Sequence, residues 1–272
     1  MDQRRLLHLD RSSGRNPIKL IDLKAEQLIR LSALSAFLDS CPPSAIAVSG
    51  GLDSRLLSTL AASAKGHFTA FHLSGPHITQ FEESHAQEFL ASLPYSHSSI
   101  SIDPLSISQV AQNHKDRCYH CKHALFSLAR QKVSKNFPLI IDGTNASDLS
   151  TYRPGLKALQ ELHVFSPFAH YGITKQDIQD IAKAIGLSDP AQPARPCLFT
   201  RFPYNAPISH EQLHHVALLE DQLLAAGWTN FRVRILSGSP VLHHASSLNL
   251  SLNNPTHLTP ILVPSLSGYW DK

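Results

Sequence analysis

The chemistry of this chain begins at Ser49-Gly50-Gly51-Leu52-Asp53-Ser54. The run follows the apolar stretch Ala45 to Val48 and leads into a helix-like segment, Arg55 to Leu60. A strand that turns through two glycines into a helix makes a grip for phosphate. Glycine lets the backbone approach an anion with no Cβ in the way, and the helix start offers free N–H groups at the positive end of the dipole. Ser49 and Ser54 add hydroxyls. Asp53 adds a carboxylate suited to orienting Mg²⁺ or a nucleotide hydroxyl. The run lacks the Gly-Lys-Ser/Thr ending of a Walker A loop and the three-glycine spacing of a dinucleotide fold.

A second group is Cys118-Tyr119-His120-Cys121-Lys122, with a third cysteine at Cys197. A C-x-x-C pair sets two thiolates close enough to share a metal or cluster, and a distant cysteine can complete the set. Zinc held with His120 or His123 is a competing use. So is a pair of small buried hydrophobes on a helix. Cys41, ahead of Pro42-Pro43, has no such pattern and reads as structural.

These groups must be positioned by alternating strands and helices. Helical periodicity is expected over Ile21 to Leu38, Ser54 to Ala64, Glu82 to Leu93, Val110 to Val133 and Thr174 to Ile185. Strands are expected at Ala45 to Val48, Phe68 to Leu73, His97 to Ile102 and Leu139 to Ile141. Thr174 suits an N-cap and Gly186 a C′ position. The alternation points to an α/β fold with a parallel, doubly wound sheet, in which ligands sit at the carboxyl ends of the strands. Asp142-Gly143-Thr144-Asn145 would meet the glycine loop there. The run Asp189 to Pro196 breaks the pattern. We expect one domain over residues 1–190 and a smaller α+β domain over 191–272, with a helix from His210 to Ala226, a strand from Phe231 to Leu236 and partly irregular chain from Ser237 onward.

The series Ser-Gly-Gly-x-Asp-Ser, Asp142-Gly143-Thr144-Asn145, Arg153-Pro154-Gly155, Cys197-Leu198-Phe199-Thr200-Arg201-Phe202-Pro203-Tyr204 and Arg232-Val233-Arg234 resembles the LarE family. These are ATP-dependent sulfur transferases of the PP-loop ATP pyrophosphatase superfamily that help build the nickel-pincer nucleotide of lactate racemase. The resemblance runs from about residue 20 to 236. It implies that ATP adenylates a carboxylate of pyridinium biscarboxylic acid mononucleotide and that sulfur then displaces AMP. Ser49, Gly50, Gly51, Asp53, Ser54, Gly143, Asn145, Asp148 and Lys175 are then the residues for ATP and Mg²⁺. Arg153, Arg201, Arg232 and Arg234 are the clamp for substrate phosphate and carboxylates, where the guanidinium fork suits both. Glu220 falls at a family position near the transferred sulfur or a metal; without the resemblance it reads as an exposed helix carboxylate. Sulfur comes by one of two family chemistries. A single cysteine, here Cys197, is sacrificed, or three cysteines, here Cys118, Cys121 and Cys197, hold a 4Fe-4S cluster with one open iron. The ligand count favours the cluster. The resemblance also implies a homo-oligomer.

Composition narrows the alternatives. A net charge of +3 over 272 residues favours small anions but does not describe a nucleic-acid-coating surface. No stretch has the length of apolar residues that a membrane span requires. The N-terminus has no signal-peptide core, so a cytoplasmic location is expected, where four cysteines point to metal or reactivity rather than disulfides. Where the family continues with an Ala-Arg-Ile-Glu run, this chain has Pro240-Val241-Leu242-His243, which leaves room for a different acceptor. Competing functions are tRNA thiolation, amidation with ammonia, and catalytically silent nucleotide binding.

Overall fold

Short strands that carry apolar side chains on both faces, such as Ser44–Ala47 and Leu139–Ile141, are buried between two layers of helices. This is the arrangement in the computed structural model, which describes residues 23–133, 135–245 and 251–266. Strands β1 (Ser44–Ala47), β2 (Phe68–Ser74), β3 (His97–Ser101) and β4 (Leu139–Ile141) form a parallel sheet in the order β3-β2-β1-β4. Alternation along the strands divides the core in two. Ile46, Phe68, Ala70 and Ile141 face helices α1 (Ala25–Ser40), α2 (Leu52–Ala62), α3 (Gln80–Ala91) and α8 (Lys175–Ala184). Ala45, Phe71, Ile100 and Ile140 face α5 (Arg117–Val133) and α6 (Gly155–Glu161). Because β1 is central, the loop at its carboxyl end opens between β2 and β4, where a ligand crevice is expected.

The caps expected at α8 are present. Thr174 accepts a hydrogen bond from the Asp177 N–H at 3.2 Å, the Asp177 carboxylate accepts one from the Thr174 N–H at 2.9 Å, and Gly186 has φ +70°. The first residues expected in α1, beginning at Ile21, lie outside the described residues. The helix expected over Val110 to Val133 is broken in two, α4 (Ser108–Ala111) and α5. Asn113 sits between them at φ +54°, a left-handed conformation that asparagine tolerates better than most residues. Its side-chain amide donates to the carbonyls of Phe202 at 3.2 Å and Pro203 at 2.7 Å. The break therefore ties the cysteine-bearing α5 to the segment just after Cys197.

A short α7 (Pro167–His170) precedes α8, and α9 (His210–Ala225) leads into a second sheet. The chain after Ser237, expected to be partly irregular, forms β6 (Ser239–His244), antiparallel to β5 (Phe231–Leu236), and β7 (Pro260–Leu262), parallel to β6. The turn is Ser237-Gly238, with φ +49° and +83°. Two positive φ values give the twist that a two-residue hairpin needs. Pro240 to His243 is thus a paired strand. Trp228, Phe231, Val233, Leu213, Val216 and Leu242 fill the second core, together with Leu198 and Phe199 and with Leu105 and Val110 from the N-terminal part.

Candidate active site

The glycine loop is already ordered by its own hydroxyls. Ser54 Oγ accepts from the Ser49 N–H at 3.2 Å and donates to the Gly51 carbonyl at 3.0 Å; Ser49 Oγ lies 3.3 Å from it. Gly50 has φ +78°, and a Cβ there would stand 3.3 Å from the Cβ of Ala86 on α3. Asp53, in the first turn of α2, accepts from Asn145 Nδ2 at 2.9 Å and is paired with the Lys175 ammonium. Gly143 lies against the start of α2 so closely that a Cβ would stand 2.9 Å from the Ser54 nitrogen and 3.0 Å from the Asp53 carbonyl carbon. Asp148 accepts from the Asn145 N–H at 3.2 Å and pairs with Arg153 at 2.7 Å on the exposed rim. All nine residues assigned to ATP, with Arg153, therefore form one connected group at the carboxyl ends of β1 and β4.

Sequence reasoning missed the brace of this group, Asp142. Its carboxylate is buried. It accepts from Ser166 Oγ at 2.6 Å, Thr144 Oγ1 at 2.6 Å and the Thr144 N–H at 3.3 Å, fixing the loop that carries Gly143 and Asn145. Asp-Gly-Thr-Asn carries the signal, since an aspartate two residues before a threonine can close such a turn.

The three cysteines converge. Cys118 and Cys121 share one face of α5 at i, i+3 spacing, and Cys197 precedes the 3₁₀ turn Leu198–Arg201. All three are free and half-buried, and each lies in the electrostatic field of the others. Burial pushes Cys121 up strongly, aided by Cys197 and Cys118. Burial also pushes Cys197 up to about 11, with Cys118 adding to the rise and Arg117 and Arg201 opposing it. The Leu198 N–H donates to the His77 carbonyl at 2.8 Å, which anchors the Cys197 segment just beyond β2. Among the described residues no three His, Cys, Asp or Glu side chains are gathered closely enough to hold a metal ion. The donor set is nonetheless of one soft type, three thiols, with cations beside them, which suits sulfide-bridged iron rather than a hard cation.

Glu220 is not the exposed helix carboxylate that its pattern alone suggests. It is wholly buried. Its Oε1 accepts from Arg201 Nε at 2.6 Å and the Val233 N–H at 2.9 Å; its Oε2 accepts from Arg201 Nη2 at 3.0 Å and Arg195 Nη2 at 2.8 Å. Burial alone would raise the Glu220 carboxyl. Arg201, then Arg195 and the Val233 amide, outweigh it and hold the group at about 2. Arg195 reaches on to Glu82 of α3 at 3.2 Å, and Asp221 accepts from the Gln80 and Phe81 N–H groups at 3.1 and 3.0 Å. Arg195, which sequence reasoning passed over, and the Glu220-Asp221 pair thus fasten α9 to the start of α3.

The arginines assigned to substrate are largely engaged within the protein. Arg201 is fully buried, and its Nη1 donates to Thr200 Oγ1 at 2.7 Å and the Pro196 carbonyl at 3.1 Å. Arg232 donates to the Phe231 and Ala194 carbonyls at 2.7 and 2.6 Å; burial, then Arg201, brings it down to about 9. Arg234 donates to the Leu266 carbonyl at 3.0 Å. Of the four, Arg153 is the most open.

No protein-family model matches the chain. A relative in Methanocaldococcus jannaschii, an uncharacterized protein, is 34% identical over 209 residues, 76% of this chain and 80% of the relative. An uncharacterized protein of Synechocystis is 32% identical, covering 75% of this chain and 77% of its own. The pyridinium-3,5-bisthiocarboxylic acid mononucleotide synthase of Lactiplantibacillus plantarum is 28% identical over 192 residues, 70% of each chain. Among solved structures, the NMN synthetase of Francisella tularensis aligns with a TM-score of 0.48 at 20% identity, over 64% of this chain and 76% of that one. With the motif series from the glycine loop to Arg232-Val233-Arg234 in place, the chain belongs to the LarE family of the PP-loop ATP pyrophosphatase superfamily.

Proposed function

We propose that the chain is an ATP-dependent sulfur transferase acting on a carboxylate of pyridinium biscarboxylic acid mononucleotide. The observation that carries this reading is the convergence of Cys118, Cys121 and Cys197, the last on a segment anchored by His77 just beyond β2, in a chain that also bears the phosphate grip. A phosphate grip alone serves any nucleotide chemistry; three convergent thiols in the same chain serve sulfur.

The loop amides of Gly50 and Gly51, the hydroxyls of Ser49 and Ser54, and Lys175 hold the triphosphate, while Asp53 and Asp148 face Mg²⁺ or a ribose hydroxyl. A substrate carboxylate oxygen attacks the α-phosphorus, the bond to the β-phosphate breaks, and pyrophosphate leaves. The acyl adenylate turns a poor electrophile into a good one. Sulfur then attacks the acyl carbon and AMP departs with the former carboxylate oxygen. Cys118, Cys121 and Cys197 would hold a 4Fe-4S cluster, which when bound supplies an open iron for an exchangeable sulfide. Partial burial limits the access of water to the three thiols, and the Glu220–Arg201 pair fixes the turn that carries Cys197. The division near residue 190 then runs through the thiol centre, with Cys118 and Cys121 from the first part and Cys197 from the second, and the assembly is a homo-oligomer.

The test is anaerobic purification with iron and sulfide analysis, followed by turnover with ATP and the mononucleotide. The reading expects pyrophosphate, AMP and a thiocarboxylate product, and stoichiometric iron that a Cys121→Ala variant loses. Iron-free protein whose Cys197 becomes lighter by the mass of H₂S would assign the sulfur to Cys197 itself. A triple Cys118/Cys121/Cys197→Ser variant that kept full activity would point to amidation and end the sulfur reading.

A further inference from the structure

Arg117 is a buried charge that the described residues leave unmatched. It opens α5, next to Cys118, and is only 2% exposed. Arginine stays protonated at any working pH, and a buried charge without a partner is strongly disfavoured. Yet among the described residues no carboxylate pairs with it, and its Nε and Nη1, both shut off from water, have no hydrogen-bond acceptor. Its guanidinium is held by the ring of Tyr204, whose centre is 4.6 Å away. Its field falls on Cys197 and Cys121. Arg201, equally buried and close to the same cysteine, is saturated by Glu220, Thr200 and Pro196. The two arginines therefore differ in kind: one is a finished strut and the other has two donors waiting.

What completes Arg117 must be anionic, and the groups on which its charge acts are thiols. We propose that Arg117 is an anion-binding residue of the thiol centre, its Nε–H and Nη1–H donating to a sulfur-borne negative charge of the hydrosulfide class held beside Cys118, Cys121 and Cys197. Lys122, whose field also reaches Cys121, adds to the positive surroundings. For its biological anion the inference rests on the sulfur-transferase reading; the orphaned donors do not depend on it.

The probe is sodium hydrosulfide, titrated anaerobically into the reduced, metal-free full chain, with the thermal unfolding midpoint as readout and sodium chloride at equal ionic strength as reference. Hydrosulfide is expected to raise the midpoint of the wild-type protein. R117M should bind it about ten- to hundredfold more weakly, the loss expected for hydrogen bonds from a charged donor. R117K, which keeps the charge without the fork, should recover part of the affinity and carries the test if R117M does not fold. Equal hydrosulfide affinity in all three proteins, or a rise with sodium acetate and none with hydrosulfide, would overturn the assignment. If R117M loses hydrosulfide binding while the wild-type protein makes no thiocarboxylate, the sulfur-transferase reading fails and the anion site stands. Thiocarboxylate formation with unchanged hydrosulfide binding in R117M is the reverse.

Discussion

Replacing Glu220 by glutamine keeps the volume and one carbonyl acceptor but removes the charge that neutralises Arg201 and Arg195. Both guanidiniums are well buried, with side-chain exposures of 1% and 13%. Removing one partner of a buried pair leaves an uncompensated charge, at a cost of about 3–5 kcal/mol. The carboxyl's own titration gives a second figure. Its pKa falls from 4.5 to about 2 on folding, and at about 1.4 kcal/mol per pH unit this is worth about 3 kcal/mol. The two figures agree in size. The sign follows from linkage: a group with a depressed folded pKa contributes fully above its unfolded value and loses that contribution as pH falls through the folded one. The stability difference between the wild-type protein and E220Q should therefore be about 3 kcal/mol at pH 7, shrink below pH 4.5 and vanish near pH 2.

Urea unfolding of the reduced, metal-free proteins across that range measures it, because the difference between the two removes the titration of every other carboxylate. A difference under about 0.5 kcal/mol at pH 7, or one that does not change with pH, would refute the argument. The experiment also separates strut from ligand. A Glu220 that served only a bound metal would leave metal-free stability untouched in E220Q and lower metal content alone.

Three further outcomes follow from the same geometry. Gly143→Ala places a methyl 2.9 Å from the Ser54 nitrogen, so the loops must separate, and ATP affinity measured by calorimetry should fall about tenfold or more. Ser54→Ala removes the bonds that hold the Ser49 amide and the Gly51 carbonyl; each is worth about 1 kcal/mol, and ATP binding should weaken with little change in unfolding cooperativity. His77, which burial and then His72 bring down to about 4 from 6.5, is held neutral by the fold. It therefore costs about 3 kcal/mol of stability as pH falls from 6.5 through 4, and H77N should flatten the urea midpoint over that range.

The glycine loop was legible because its chemistry is local. Gly50, Gly51, Asp53 and Ser54 are adjacent, and a strand-turn-helix context follows from a short apolar run and a helical one. The caps of α8 were legible for the same reason, Thr174 and Asp177 being three residues apart. The break between α4 and α5 was not. Helical periodicity runs through Val110 to Val133, and only the bonds from Asn113 to Phe202 and Pro203, about ninety residues on, favour a left-handed turn over another helical residue. The hairpin after Leu236 was hidden because Ser-Asn-Leu-Pro composition masks the one informative dipeptide, Ser237-Gly238.

The charged residues show where single-sequence reading loses its hold. An arginine's type fixes what it can bind, but its neighbours decide whether it is free to bind. Arg201 looked like a substrate clamp on the strength of its motif, and Glu220, nineteen residues away, uses both donors of its fork. Arg117 drew no notice beside two cysteines, yet it is the cation whose buried Nε and Nη1 have no acceptor within the described protein. The pattern inverts the usual inference from motif to role. In this second core the residues with saturated hydrogen bonds hold the site in shape, and the proposed function gives the chemistry to the groups the fold leaves incomplete: three thiols and one guanidinium from α5 and the turn after Pro196.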